Sequence, residues 1–439
     1  MKPFPKRRLA LVIPVCAALA LVGCSPGSLG SSAGDGKVTL TFLVDNNEAS
    51  TKPADALARE FTAKNPDITV KVEVRPQGGE GDNVVKTRLS TGDMTDVFLY
   101  NSGSLLQALK PQETLVSLKG EGFLNNVQET FFPTVSVGED VYGVPFGTAV
   151  GGGILYNRAV YSRLGLQVPK TWAEFMANNA KIKAAGVAPV IQTYQDTWTS
   201  QLFVLGDFHN VAAAEPNFAD DYTANKVKYA TSAAALKGFQ RLQTVHEAGY
   251  LNEDFAAAKY EDGLRELATG TGAHYPILTF AVGALTASHA AQINDIGFFA
   301  QPGDDAAKNG LTVWTPGGIY IPKTTEGAQL DAAKKFLAFI ASPDGCRVQT
   351  EAYTPTGPYL VKGYELPSDL PQAVKDMLPY FESTGTTTPA LEFLSPVKGP
   401  ALEQITVEVG SGIRSAADGA ALYDQDVQKQ AKQLGLPGW

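Results

Sequence analysis

Residues Glu139 to Ala159, EDVYGVPFGTAVGGGILYNRA, constrain the folding of this chain more than any other stretch. The apolar run Val141 to Val144 ends at Pro145. Gly147, Gly151, Gly152 and Gly153 then punctuate a small-residue segment, and Ile154-Leu155-Tyr156-Asn157 resumes as a strand. Glycine tolerates positive φ and close approach of another backbone, so this density marks a bend or a passage between two bodies. A bulged β-hairpin inside one domain has the same pattern, and the segment alone leaves both readings open. Leu311 to Ile321, LTVWTPGGIYI, echoes the strand–breaker–strand form, and Thr354-Pro355-Thr356-Gly357-Pro358-Tyr359 is a third breaker. A chain of 439 residues exceeds one ordinary core, so two bodies are expected.

The N-terminus reads as a targeting segment. Lys6-Arg7-Arg8 is a basic region, and Leu9 to Gly23 is an apolar stretch too short to span a membrane comfortably. It ends in Leu21-Val22-Gly23-Cys24, which resembles the lipobox of bacterial lipoprotein signals. The resemblance implies a signal peptide over 1–23 and a lipidated Cys24. Ser25 to Gly36 is a Gly/Ser-rich tether, which as a flexible coil would hold a folded body about 20 Å from its anchor. The expected location is therefore the outer face of the cell membrane, anchored but not spanning. Beyond Cys16 and Cys24 only Cys346 remains, which excludes an intrachain disulfide and a cysteine metal site in the mature chain. The formal charge is −9, and it becomes more negative once Lys2, Lys6, Arg7 and Arg8 are removed. That balance argues against a nucleic-acid partner.

Lys37 to Asp45 alternates and then turns apolar, as the first strand of a buried sheet does. A helix follows, with Thr51 as its expected cap and Pro53 in its first turn, and Ile68 to Val74 is the next strand. This β-α-β unit makes the fold α/β with a largely parallel sheet. Asp96 to Tyr100 is a third strand. Thr171 and Glu174 form a capping box that opens a helix with Trp172, Phe175, Met176 and Ile182 on its buried side. Residues 200–270 are mostly helical. Gln329 to Ala341 is an amphipathic helix with Ala333, Phe336, Leu337 and Ile340 on one face, and a Ser/Thr-rich loop at 383–388 interrupts a helical C-terminal region.

No serine-nucleophile elbow, phosphate-binding loop, C-x-x-C or H-E-x-x-H pattern occurs, and the four histidines are scattered. No cofactor or metal is expected. An exported glycosidase remains the alternative enzyme reading, because its two carboxylates need no fixed spacing. What the chain does carry is a set of strand exits with aromatic and hydrogen-bonding side chains: Asp45-Asn46 and Glu48, Tyr100-Asn101, Asp196 with Trp198, and Trp314. Flat aromatics cover the apolar face of a sugar ring, and carboxylates and amides take its hydroxyls. Ordinary core packing of Trp198 and Trp314, and helix-terminal charge at Asp45 and Glu48, explain the same residues equally simply.

Four stretches together resemble the family 1 extracellular solute-binding proteins of ABC sugar importers. They are ADALAREFTAKNPDITVKVE (54–73), TRLSTGDMTDVFLY (87–100), DVYGVPFGTAVGGGILYNRAVYSRLGLQVPKTWAEF (140–175), and the segment from IGFFAQPGDD to FLAFIASP (296–343). The resemblance covers essentially all of 37–439. It implies a periplasmic-binding-protein-like fold of type II, two lobes with mainly parallel sheets joined by three hinge crossings, with 37–147 and 318–355 in lobe 1 and 149–313 and 358–439 in lobe 2. It also implies ligand contacts from Asp45, Asn46, Glu48, Tyr100, Asn101, Asp196 and Trp198, with Trp314, Gly317, Gly318 and Tyr359 contributed around the hinges. The implied partners are a carbohydrate, or another solute on the same fold, and the permease subunits of an importer, with the receptor itself a monomer. Many members have a tryptophan where Val44-Asp45 and Thr279-Phe280 stand here, so the number of stacking platforms stays open.

Overall fold

The computed structural model describes residues 37–439 except Thr384, so Cys24, the signal segment and the tether lie outside the described residues. Residues 37–439 form one compact unit. Strand β1 (Val38–Asp45) leads into helix α1 (Glu48–Lys64), then strand β2 (Ile68–Arg75), helix α2 (Gly78–Thr91) and strand β3 (Val97–Tyr100). Helix α1 begins earlier than Thr51, because the Asn47 side chain accepts from the Ser50 amide at 2.9 Å and caps it. Pro53 therefore lies inside the helix rather than in its first turn.

Strand β4 (Gly143–Phe146) and strand β5 (Val150–Asn157) flank the first glycine-rich break and belong to different sheets, so the segment is a passage and not a hairpin. Helix α3 (Arg158–Leu164) runs from Asn157 as cap to Gly165 at φ +64, and helix α4 (Trp172–Ala184) carries the Thr171–Glu174 capping box. Trp172 is half-buried against the core. Then come strand β6 (Ala188–Val190), helix α5 (Leu236–Glu247), helix α6 (Tyr260–Thr269), strand β7 (Gly272–Leu278), helix α7 (Ala281–Ser288), strand β8 (Ile296–Ala300) and strand β9 (Leu311–Trp314). Strand β10 (Gly317–Tyr320) returns to the first sheet, followed by helix α8 (Gly327–Ile340) and helix α9 (Pro343–Ala352). Ser342 caps α9, and Cys346 sits fully buried within that helix. Near the C-terminus, strand β11 (Thr387–Pro389) joins the second sheet, where only a loop is expected from sequence.

The first sheet has the order β2-β1-β3-β10-β4 and the second β11-β9-β5-β7-β6, with β8 also pairing along β5. Strand direction is shared within each sheet except for one strand: β10 runs against the first, and β5 against the second. These two are the strands that enter each sheet from a crossing, so the crossings themselves set the reversed direction. Helix α8 covers the first sheet, with Phe336 packed 5.5 Å from Phe42 and 5.0 Å from Phe61, centroid to centroid. Residues 359–361 stay beside the first sheet: Val361 bridges Val127, and the Gln128 amide donates to the Leu360 carbonyl at 2.9 Å.

The glycines of the opening break do different jobs. Gly147 has φ +82 and supplies the turn. Gly151, Gly152 and Gly153 lie inside β5, where side chains would collide with neighbours: a Cβ at Gly152 would meet the Trp314 ring at 2.2 Å. They are there for steric fit, as a small-residue track over which the rings of β8 and β9 pass.

Inside the second lobe, the His274 imidazole is fully buried and bonded to the Tyr161 hydroxyl at 2.6 Å. Burial pushes its pKa down from 6.5 to about 3. The unfolded chain therefore binds a proton that the folded chain does not. Stability is full above about pH 6.5 and falls by up to ~1.4 kcal/mol per pH unit as pH drops from there toward 3. Urea melts between pH 4 and 7 should show this slope, and it should be shallower in His274→Gln; identical slopes would mean that other groups carry it.

Candidate functional site

The ends of β1, β2 and β3 lie side by side because β1 is the central strand of the three. Asp45 pairs in register with Arg75, and their side chains meet at 3.0 Å, Oδ1 to Nη2. Arg75 is 3% exposed. It also donates to the carbonyls of Pro76 and Leu99, and its guanidinium lies 5.6 Å from the Tyr100 ring centroid. Asp45 is thus held on a buried cation, a role no motif in the sequence points to. Burial raises the Asp45 pKa above its usual 3.8, against the opposing pull of Arg75. Burial, with the Asp82 carboxylate adding to it, raises the Tyr100 phenol, so it stays neutral and able to donate. The Tyr100 hydroxyl is buried beside the Asp82 carboxylate, and among the described residues no partner satisfies it at full hydrogen-bond geometry.

These strand ends open into a cavity of about 270 Å³, near the lower limit of the roughly 300–1,000 Å³ usual for small-molecule sites. Asp45, Tyr100, Asn101, Gly317 and Tyr359 all line it, together with the unforeseen Ser50, Thr148, Gln349, Tyr353 and Thr356. Its floor is built from the crossings. The Gly147 amide donates to Gln349 Oε1 at 2.9 Å, Thr148 and Thr356 hydroxyls lie 3.1 Å apart, and Ser102 and Thr315 hydroxyls likewise. Tyr359 is a wall residue, its hydroxyl accepting from Thr350 at 3.2 Å and its ring 5.5 Å from Tyr364.

The remaining candidates fall outside the cavity. Asn46 is exposed and Glu48 forms an ion pair with Lys52 at 2.8 Å on the first turn of α1. Gly318 is glycine because a Cβ would strike the Tyr320 ring at 2.4 Å. The Trp314 indole N–H donates to Glu392, and its ring covers Gly152. Trp198 belongs to a second group on the other lobe: its ring centroid is 5.4 Å from Tyr260 and 5.9 Å from Phe280. Asp196 supports this group, since Oδ2 accepts from the Tyr260 amide at 2.7 Å and fixes the start of α6. Phe280 is 38% exposed, a large aromatic left uncovered next to two others. Tyr260 and Phe280 carry no sequence signal beyond being aromatic. The Thr279-Phe280 departure noted above nevertheless falls on the residue that completes the trio.

The arrangement contains no proton-transfer dyad and no nucleophile with an adjacent base; it presents hydroxyls, amides, a fixed carboxylate and aromatic faces. A profile describing bacterial extracellular solute-binding proteins matches residues 45–345. The chain belongs to this family. A solute-binding protein of this kind is a binding protein and not an enzyme, and it works outside the cytoplasm. Among its relatives is the multiple sugar-binding protein of Streptococcus mutans, 28% identical over 374 residues that span 83% of this chain and 84% of the relative. The melibiose/raffinose/stachyose-binding protein MelE of Bacillus subtilis is 25% identical over 390 residues, with 83% and 84% covered. The solved structure of a chitin oligosaccharide binding protein superposes with a TM-score of 0.74 at 20% identity, over 90% of this chain and 99% of that one, and shares the two-lobed fold.

Proposed function

We propose that this solute-binding protein takes a mono- or oligosaccharide into the cleft between its lobes and delivers it to the permease of an ABC importer. One observation carries the reading: the structure holds both an aromatic group, half-buried Trp198 and Tyr260 with the exposed Phe280, and a cavity lined by a carboxylate, amides and hydroxyls. Aromatic faces with a polar rim are what a pyranose ring requires, and the names of the two relatives are consistent with it. The lobes, 37–147 with 318–361 and 149–313 with the chain beyond Val361, close about the crossings, and the ligand bridges them. Cys24 carries a lipid that holds the monomeric receptor at the outer face of the cell membrane, and Ser25 to Gly36 is its tether.

Calorimetric titration against a panel of mono- and oligosaccharides tests the proposal. Binding is expected to weaken as pH falls through the raised Asp45 range, because the protonated carboxyl loses its charge-assisted bonds. Asp45→Asn should weaken binding by about 1 kcal/mol near neutral pH and abolish that acid dependence. Absence of binding to any sugar in the panel sinks the carbohydrate reading and leaves the fold intact. A wild-type affinity independent of pH would remove Asp45 from the ligand's contacts.

A further inference from the structure

We propose that Tyr353 is a gate that sets the length of sugar the cleft accepts. The inference rests on the carbohydrate reading above. Tyr353 follows α9 on the first lobe and lines the cavity beside Asp45. Its tip reaches the other lobe. A Cβ at Gly283 on α7 would fall 2.5 Å from the Tyr353 hydroxyl and 3.1 Å from its Cζ, so the phenol is seated on bare helix backbone. That seat exists only because residue 283 is glycine, and a glycine inside a helix costs about 1 kcal/mol relative to alanine. A contact across the cleft gives this otherwise unfavourable choice a function.

The gate divides two surfaces of different chemistry. On one side is the cavity, with Asp45, Asn101, Gln349 and Thr356 in its lining. On the other is the aromatic trio, none of which lines the cavity, although Phe280 immediately precedes α7, on which the phenol is seated, and the Tyr260 ring centroid lies 6.2 Å from that of Phe280. With Tyr353 seated, the cavity ends before the aromatic face and encloses one terminal sugar ring. A rotation of the phenol about its side-chain bonds, which needs no backbone movement, joins the two surfaces. Further rings then lie on Trp198, Tyr260 and Phe280.

Two nested series test this: galactose, melibiose, raffinose and stachyose, and glucose, maltose, maltotriose and maltotetraose. Each is titrated calorimetrically into the full chain, into Tyr353→Ala and into Gly283→Ala. The second variant leaves the phenol in place and fills its seat with a methyl, while raising helix propensity, so it reports even where truncating Tyr353 unfolds the protein. Both variants should shift the ratio of monosaccharide to trisaccharide dissociation constants about tenfold in favour of the trisaccharide. Wild-type ratios in both variants, or shifts of opposite sign, overturn the gate while leaving sugar binding standing. If the wild type binds none of the eight sugars, the carbohydrate reading fails and the gate falls with it.

Discussion

Replacing Arg241 by methionine is expected to destabilise the protein by about 3–5 kcal/mol. Arg241 on α5 is 4% exposed and its Nη1 is bonded to the Asp207 carboxylate, itself 1% exposed. Asn210 also donates to Asp207 Oδ1 at 2.7 Å, and the guanidinium lies 5.2 Å from the Trp172 ring centroid. Methionine keeps the length and the packing on Trp172 but strands a carboxylate in the interior without its counter-ion. The segment around Asp207 also presses on β9: the Gly206 carbonyl accepts from the Thr312 hydroxyl at 2.8 Å, and the His209 amide donates to the same hydroxyl at 2.8 Å. The pair therefore braces the strand that carries Trp314 to a crossing. Urea unfolding of the variant measures the loss, and Arg241→Met combined with Asp207→Leu should recover most of it, because no buried charge then remains. A single variant within about 1 kcal/mol of wild type would mean that water reaches Asp207.

Trp198→Ala is expected to weaken sugar binding by about 1–3 kcal/mol, roughly 5- to 150-fold in dissociation constant. The indole is half-buried between Tyr260 and Phe280, so part of its face is held rigid by neighbours and part is left for a ligand. Pre-organised aromatic surface of this kind loses little side-chain entropy on binding. Trp314→Ala makes the informative comparison. Its ring covers Gly152 and its N–H is bound by Glu392, which Lys398 holds at 3.1 Å, so its removal should appear in the unfolding midpoint. Calorimetry and thermal unfolding on both variants separate the roles; an unchanged affinity for Trp198→Ala would assign that ring to packing alone.

Local rules made the elements readable. Alternation gives β1, the capping box gives α4, and the Ala333-Phe336-Leu337-Ile340 stripe gives α8, because each depends on neighbours within a few residues. Asn47 rather than Thr51 caps α1: two polar residues can both serve, and the one that bonds the Ser50 amide is decided by where β1 releases the chain. The short β11 strand has no local signal, since three residues of Thr-Thr-Pro pair only because β9 offers an edge.

The sequence by itself determined that the chain is α/β, that strand–breaker–strand units interrupt it, and that strand exits carry polar and aromatic groups. Those properties follow from spacing along the chain. Only the tertiary structure decided which of those groups meet. Asp45, Tyr100 and Asn101 share a cavity with Gln349 and Thr356, about 250 to 310 residues away, because β10 and α9 return to the first sheet. Trp198 joins Tyr260 and Phe280 for the same reason in the second lobe, whereas Trp314 turns into the wall over Gly152. The Gly151-Gly152-Gly153 run, by sequence a bend or a passage between bodies, is in the fold a track cleared for neighbouring rings. A side chain's direction is set by the sheet it stands on and the rings beside it, and neither is contained in the few residues around it.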